Sequence, residues 1–290
     1  MGMFQNLLRR HAAALRALLV LTAVCGVLYP LAVTAIAQLP GLKAKADGSY
    51  VSADGRRVGS ALIGQSFTDA QGRPLKQYFQ SRPSAAGDGY DPTSSGASNL
   101  GPENIVDTKG GPSLLSQVCA RSKAVGELEG VDGRRPYCTP GGAGAVLSVF
   151  GPRDAAGTVA HPTRVISVNE PCPATPFRSE YRGVRVQCAA AGQDYRESVI
   201  VPVRGNAPAR PVVPSDAVTA SGSGLDSGIS PAYARLQAPR VARVRGLPAA
   251  EVARLIDANT TGRAAGFMGD PAVNVLKLNI ALDETAPVRG

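Results

Sequence analysis

The stretch ALLVLTAVCGVLYPLAVTAIA, residues 17–37, decides the architecture of this chain. It contains no charged residue, and a helix of this length rises by roughly 31 Å, which matches a bilayer hydrocarbon core of about 30 Å. Pro30 lies inside the stretch and lacks a backbone donor, so one helix carbonyl needs a polar neighbour or a local rearrangement. We therefore predict one membrane-spanning helix over residues 17–37.

Charge patterning around this stretch predicts its orientation. No acidic residue precedes it, and three arginines do, namely Arg9, Arg10 and Arg16. The positive-inside rule therefore predicts a short cytoplasmic N-terminus at residues 1–16 and an extracytoplasmic domain at residues 38–290, with membrane lipid as a partner. A cleavable signal peptide is the alternative, because Ala35-Ile36-Ala37 fits its cleavage pattern, although the apolar run exceeds the about 7–15 residues of a signal sequence.

Composition limits the function classes open to the domain that follows. The net charge is +9, but the basic residues are not interleaved with aromatic ones, so nucleic acid is not an expected partner. His11 and His161 are the only histidines, which leaves histidine-dependent catalysis almost without residues. No G-x-x-x-x-G-K-[ST] nucleotide loop occurs. DTKG at 107–110 contains the letters of the DKTG phosphorylation motif of P-type ATPases, but in a different order. From these absences together, we predict no catalytic residue, metal or cofactor in this chain.

Four cysteines follow the predicted membrane helix: Cys119, Cys138, Cys172 and Cys188. An even number on the oxidising side of a membrane predicts two disulfides. Four cysteines allow three pairings, and the sequence does not choose among them. Free thiols and a zinc site are the alternatives, and the zinc site is disfavoured because no C-x-x-C spacing occurs. Cys25, inside the membrane stretch, is expected to be a small apolar filler.

Local patterns after residue 38 predict an α+β fold. Asp54-Gly55 between short β-prone runs predicts a hairpin, and residues 78–104, rich in Gly, Pro, Ser and Asn, predict a long loop. A β-rich, disulfide-bonded insertion is predicted at about 133–214. Its β-type runs lie at 146–150, 164–168 and 197–201.

The C-terminal quarter is more regular. Ser230 and Pro231 predict the start of a helix that Pro239 must kink or end. A second helix is predicted from near Pro248 to about residue 258, because its apolar residues recur at helical spacing. From Asn274 to Leu282 apolar and polar residues alternate, which predicts a half-buried strand. Its inward residues would be Leu276, Leu278, Ile280 and Leu282.

Four sequence blocks resemble a known family. They are GSALIGQSF at 59–67, YFQSRPSA with YDPTSSGASNLGPEN between 78 and 104, VTASGSGLDSGISPAYARLQAPRVARVRGL at 218–247, and GDPAVNVLKLNIALD at 269–283. In this order behind one membrane helix, they resemble the C subunit of Kdp-type potassium-transporting ATPases, the KdpC family. The resemblance covers the membrane helix and residues 58–125 and 211–285. Two departures are Ala97, where the family usually has Gly, and the insertion, whose function the resemblance does not give.

The resemblance implies a non-catalytic accessory subunit of a high-affinity, ATP-driven potassium uptake pump in the cell membrane. The implied partners are an ion-conducting A subunit and an ATP-hydrolysing B subunit, whose assembly this chain would stabilise. ATP, Mg and K+ would be used by the complex, and the membrane helix would be retained. The alternative is an exported, membrane-tethered binding module for cell-wall or small-molecule ligands.

Candidate subunit-interface residues come from the membrane helix and from the loops. A small residue permits close approach of membrane helices, and aromatic and Arg side chains are enriched at interfaces. For the loops, ordinary turn chemistry of Ser, Asn and Gly is the alternative explanation. The candidates are Gly26, Pro30, Gln65, Tyr78, Phe79, Arg82, Ser98 and Asn99.

Overall fold

The computed structural model describes residues 2–287. The chain forms two compact units, residues 1–62 and residues 63–290. The described part contains one helix that is long and apolar enough to cross a membrane, Gly2–Ala37. It consists of α1 (Gly2–Ala23), a π-helical segment (Val24–Leu28) and α2 (Tyr29–Ala37).

The π-helical segment lies in the turn just before Pro30. There the N–H of Tyr29 donates to the carbonyl of Val24, five residues back, and the hydroxyl of Thr34 donates to the carbonyl of Pro30 at 2.7 Å. Proline removes one donor from the regular ladder, and a single π turn is one way in which a helix absorbs such a defect. This is a local rearrangement of the kind that the sequence predicts.

After the long helix, the first unit continues with α3 (Lys43–Ala46) and a two-stranded hairpin of β1 (Tyr50–Ala53) and β2 (Arg56–Ser60). The turn residues Asp54 and Gly55 have φ of 50° and 74°. Positive φ at both central positions is the requirement of a type I′ turn. The predicted hairpin is therefore confirmed.

The second unit begins with a long loop over residues 63–113, which includes the loop predicted at 78–104 and forms only isolated bridges. Helix α4 (Leu114–Glu129) follows, with the Ser113 side chain accepting from the N–H of Ser116 at its start and Gly130, at φ 69°, ending it. Ser at the N-cap and a left-handed Gly after the last turn are common helix boundaries.

A five-stranded sheet follows α4, in the order β5-β6-β4-β3-β7. Its strands are β3 (Val146–Phe150), β4 (Arg164–Pro171), β5 (Glu180–Tyr181), β6 (Val184–Ala189) and β7 (Val199–Pro202). The β4–β6 pair is parallel and the other pairs are antiparallel. One face buries a small apolar core that includes Leu147, Val149 and Val165.

Two disulfides cross-link the region that contains α4 and the five-stranded sheet. Cys119 of α4 pairs with Cys138, and Cys172, just after β4, pairs with Cys188 of β6. The Cα–Cα distances are 5.4 and 5.1 Å, within the range that a disulfide requires. The prediction of two disulfides is confirmed, and the structure selects one of the three pairings.

The main core is built from the C-terminal elements. They are β8 (Gly228–Ile229), α5 (Pro231–Arg245), α6 (Ala249–Ala258), β9 (Thr260–Thr261), β10 (Ala272–Asn274) and α7 (Val275–Thr285). The predicted start of α5 is confirmed, because the Ser230 side chain accepts from the N–H of Tyr233. The helix does not end at Pro239, since buried residues on both sides, including Tyr233 and Val241, hold it to the core.

The predicted strand over residues 274–282 is wrong, because this segment is α7. Asn274 accepts from the N–H of Lys277 and caps the helix. The residues buried by α7 include Val275, Leu278, Asn279 and Leu282, which have the spacing i, i+3, i+4 and i+7 of one helix face. The alternating pattern predicted that the side chains of Val275 and Asn279 point outward, whereas both are buried.

Candidate functional site

Two loop segments that are distant in sequence, residues 63–104 and 219–230, are joined into one surface, which we call the loop platform. Three hydrogen bonds join them: Gly64 N–H to the Leu225 carbonyl at 2.9 Å, Gly96 N–H to the Ser223 carbonyl at 2.9 Å, and the Ser84 hydroxyl to the Gly224 carbonyl at 2.6 Å. Since loop backbone has no ladder partners of its own, such bonds fix its conformation. Parts of three of the sequence blocks thus meet in one place.

Arg82, in the first segment, also bonds to residues of the second segment. Its guanidinium donates to the carboxylate of Asp226 at 3.1 Å and to the carbonyl of Thr219 at 3.2 Å. The Arg82 side chain is 21% exposed, so it both holds the platform and reaches its surface. Because a partly exposed ion pair adds little stability by itself, the main effect of these bonds is to position the loops.

Two glycines allow the segments to approach closely. A Cβ at Gly64 would meet the ring of Tyr90 and lie 2.6 Å from the carbonyl of Asp226. Gly224 has φ of 70°, and a Cβ there would lie 2.8 Å from the Cβ of Ala86. Only glycine fits where backbone packs this closely.

Two buried amide side chains clamp the main chain at Phe79 and Gln80. Asn279 of α7 accepts from the Phe79 N–H at 2.9 Å and donates to the Phe79 carbonyl at 3.0 Å. Gln237 of α5 accepts from the Gln80 N–H at 2.7 Å and donates to the Gln80 carbonyl at 3.1 Å. Each amide offers one donor and one acceptor side by side, so it satisfies the loop backbone as a neighbouring strand would.

A buried ion pair supports the loop just before the clamp. Arg240 of α5 contacts Glu129 of α4 at 3.0 Å, with 2% and 1% of their side chains exposed. Arg240 also donates to the carbonyls of Lys76 and Tyr78. Burial raises the pKa of Glu129, and the positive charge of Arg240 opposes that rise. This network joins α4, α5 and residues 76–78 of the platform.

The exposed side of the platform is polar. A cavity of about 220 Å³ opens on it, and its lining includes Ser66, Thr68, Arg82, Ser84, Asp88 and Tyr90. Within residues 2–287, no group of three or more His, Cys, Asp or Glu side chains is placed to hold a metal ion. The platform offers hydrogen-bond donors and acceptors on a fixed backbone, as the rim of a protein–protein interface does.

Comparison with known proteins identifies the family. The family model described as "KdpC: K+-transporting ATPase, c chain" matches residues 11–133 and 189–284 of this chain. This chain belongs to the KdpC family. The resemblance drawn from the four sequence blocks is therefore confirmed.

Relatives named "Potassium-transporting ATPase KdpC subunit" align over nearly the whole chain. The relative from Kineococcus radiotolerans is 39% identical over 282 residues, covering 97% of both chains. That from Streptomyces coelicolor is 38% identical over 294 residues, covering 98% of this chain and 97% of its own. That from Mycobacterium tuberculosis H37Rv is 36% identical over 275 residues, covering 95% and 98%. None of these comparisons supports the alternative of a separate exported binding module.

The KdpC match leaves out residues 134–188, which contain β3 to β5 and most of β6. The K. radiotolerans alignment covers 97% of this chain, so it extends into this segment. The insertion predicted at about 133–214 includes the whole five-stranded sheet. Its bounds as a separate module stay a prediction.

Of the six candidate residues in the KdpC loop platform, four are Gln65, Arg82, Ser98 and Asn99. Ser98 and Asn99 are exposed, and the Gln65 carbonyl accepts from the Ser81 hydroxyl at 2.7 Å. Ala97, the departure from the family pattern, is not among the residues with positive φ. The structure thus shows no glycine requirement at this position.

Tyr78 and Phe79 belong to the same platform segment, but their side chains contact the C-terminal elements. The hydroxyl of Tyr78 donates to the carboxylate of Asp283 at 3.1 Å, and Phe79 is fully buried in the main core. The Phe79 side chain therefore does not reach the surface of this KdpC chain. Gly26 and Pro30 lie in the first unit, on the long helix. As a subunit interface, the exposed candidates stay a prediction.

The sequence did not point to the residues that hold the platform in place. Gln237, Asn279 and Arg240 lie inside two of the family blocks, but a polar residue on a helix is usually read as exposed. Their burial could be recognised from their positions, because each lies on the apolar face of its helix. In α7, Asn279 occupies the i+4 position of the buried face that Val275 begins.

Proposed function

We propose that this chain is the non-catalytic accessory subunit of an ATP-driven potassium uptake pump. It joins an ion-conducting A subunit and an ATP-hydrolysing B subunit, stabilises their assembly and supports transport. The observation that carries this proposal is the alignment over 97% of this chain and of a relative named as a potassium-transporting ATPase subunit. The chain is proposed to be anchored in the cell membrane with residues 1–16 in the cytoplasm.

Catalysis is proposed to lie in another subunit. The scrambled DTKG segment supports this, because its aspartate has a structural task. The carboxylate of Asp107 accepts from the N–H and the hydroxyl of Ser113 at 2.8 and 2.7 Å. Ser113 is in turn the N-cap of α4. Both bonds end on one oxygen of the carboxylate, Oδ1, so this side chain helps to organise the start of the helix.

The loop platform is the proposed contact with the partner subunits. Its backbone is fixed by the amide clamp and by the bonds between its two segments, so little conformational entropy remains to be lost on docking. Ser98 and Asn99 stand exposed on it. A preorganised polar surface of this kind suits a subunit that assembles with others and performs no chemistry.

A bulky substitution at the platform tests this proposal. Ser98→Trp should lower co-purification of the other two subunits and the potassium-stimulated ATPase activity of the complex, because the indole blocks close approach. Ser179→Trp, at an exposed serine just before β5, is the matched control and should leave both unchanged. Equal behaviour of the two variants would place the contact elsewhere, and no co-purification with the unaltered chain would contradict the accessory role itself.

A further inference from the structure

A second, larger cavity of about 410 Å³ lies at the C-terminal end of α4. Its wall contains the Cys119–Cys138 disulfide and the apolar side chains of Val131, Phe177 and Val203. This volume is within the about 300–1,000 Å³ of small-molecule sites. We call it the disulfide cavity. Its lining includes residues on both sides of position 133, where the first KdpC match ends.

One cation in this lining has no acidic partner among the described residues. Arg135 donates through Nε to the Ser122 hydroxyl at 3.1 Å and through a terminal nitrogen to the Val213 carbonyl at 2.5 Å. Burial lowers the pKa of Arg135, and no carboxylate opposes that effect. A half-buried guanidinium without a counter-ion favours an anion that can share its remaining N–H groups.

Two further cations line the cavity, but each is already paired. Lys123 contacts Glu127 at 2.5 Å, and Arg134 contacts Asp132 at 2.8 Å. Both charges are therefore compensated locally, and the partner of Lys123, Glu127, also lines the cavity. Arg135 is therefore the lining cation best able to bind an anionic group directly.

We propose that the disulfide cavity binds an organic carboxylate with an apolar body. The guanidinium of Arg135 holds the carboxylate, for which its planar fork of donors is suited, and Phe177 and Val203 contact the apolar part. The disulfide fixes the wall and preorganises the site. Since the site does not involve the loop platform, it is independent of the proposed pump role.

A fluorescent acid and its neutral analogue test this proposal. The chain contains no Trp, so naphthalene fluorescence can be followed without indole background. For the full chain in a non-ionic amphipol, 2-naphthoate should bind saturably and about tenfold or more tighter than 2-naphthylmethanol. Polymer without protein gives the blank. Equal affinity for the acid and the alcohol would overturn the proposal.

Variants then locate the site. Arg135→Gln should reduce naphthoate affinity to that of the alcohol. Arg121→Gln is the matched control, because Arg121 is also half-buried, donates to the Val218 carbonyl at 3.1 Å and lacks a carboxylate, but does not line the cavity. A loss of affinity in Arg121→Gln as large as that in Arg135→Gln would contradict the assignment.

Because Arg135 also bonds Val213, a second variant tests the cavity with this residue in place. A Cβ at Gly205 would meet only the Cys138 carbonyl, at 3.9 Å, which is ordinary contact. Gly205→Phe should therefore fold and fill the cavity, and it should abolish naphthoate binding. Unchanged binding in a folded Gly205→Phe would overturn the proposal.

Competition identifies the source of the natural carboxylate. Octanoate represents a lipid-derived acid, and N-acetylphenylalanine represents the carboxyl terminus of a peptide. Displacement of naphthoate by one of them supports the proposal and assigns its source. Displacement by neither contradicts it, because both carry the group that Arg135 is proposed to hold.

Discussion

At the scale of single residues, Gly64 shows how closely the loop platform is packed. A Cβ there would lie 2.6 Å from the Asp226 carbonyl and against the Tyr90 ring, so Gly64→Ala should lower the free energy of unfolding by about 1–3 kcal/mol. Chemical denaturation measures this change. Gly222→Ala is the matched control, since a Cβ at Gly222 meets nothing within 4 Å. Equal stability of the two variants would contradict the packing argument.

Tyr90 provides a prediction about pH. Burial raises its pKa from 10.0 to about 12, and its hydroxyl donates to the Arg82 carbonyl. Because the folded pKa lies above the unfolded value, this tyrosine contributes stability that is fully present below pH 10 and is lost as the pH rises towards 12. Tyrosinate absorbance of the unaltered chain minus that of Tyr90→Phe should titrate near pH 12. A difference midpoint at the ordinary tyrosine value would contradict the burial.

The loop candidates and the residues that position them were not equally predictable. Arg82 and Asn99 stand in loop motifs whose letters are visible in the sequence. The roles of the clamp residues Gln237 and Asn279 could not be predicted in this way, because their burial depends on a loop that approaches from more than a hundred residues away. Sequence patterns report local periodicity well, and they carry little information about which distant backbone needs an amide partner.

At the scale of elements, predictions succeeded where the determinants are local. The β1–β2 hairpin follows from Asp54-Gly55, and α6 follows from the apolar spacing of Val252, Leu255 and Ile256. The segment that forms α7 was mistaken for a strand because its apolar residues satisfy an alternating and a helical pattern at once. The N-cap at Asn274 and the burial of both Val275 and Asn279 are features of a helix and not of an alternating strand.

The disulfide of α4 has a predicted stability effect. Cys119 and Cys138 are separated by 19 residues, and opening a loop of this size should lower stability by about 3 kcal/mol. The double variant Cys119→Ser/Cys138→Ser should therefore unfold at lower denaturant concentration. Cys25→Ser, at the free and exposed cysteine of the long helix, is the control and should not change the denaturation of the domain. An unchanged midpoint in the double variant would contradict the entropic argument.

The long helix supports a prediction about assembly. Gly26 lies within the π-helical segment, where a small residue leaves room for a neighbouring helix. Gly26→Leu should weaken co-purification with the ion-conducting subunit and leave membrane insertion intact, because leucine only raises apolarity. Ala32→Leu, on α2, is the control and should leave co-purification unchanged. N-terminal sequencing of the membrane-bound chain checks the premise, and a mature start at Gln38 would contradict a retained helix.

At the scale of the whole molecule, the proposed location of catalysis in another subunit can be tested directly. The full chain, purified without other subunits, should release no phosphate from ATP above a blank, since it has no G-x-x-x-x-G-K-[ST] nucleotide loop and its DTKG segment only scrambles the phosphorylation motif. Asp107→Asn in the assembled complex should leave phosphorylation by ATP intact. Steady ATP turnover by the isolated chain would contradict the accessory role.

The amide clamp joins positions that lie 157 and 200 residues apart along the chain. Ribosomes make the platform loops early and their partners Gln237 and Asn279 late. A polypeptide cut short before α7 would still carry the long apolar helix Gly2–Ala37, but Phe79 would lack the amide that fixes it. Such a fragment would not present an ordered docking surface. If the platform is the contact that we propose, only chains that extend through α7 should enter the complex.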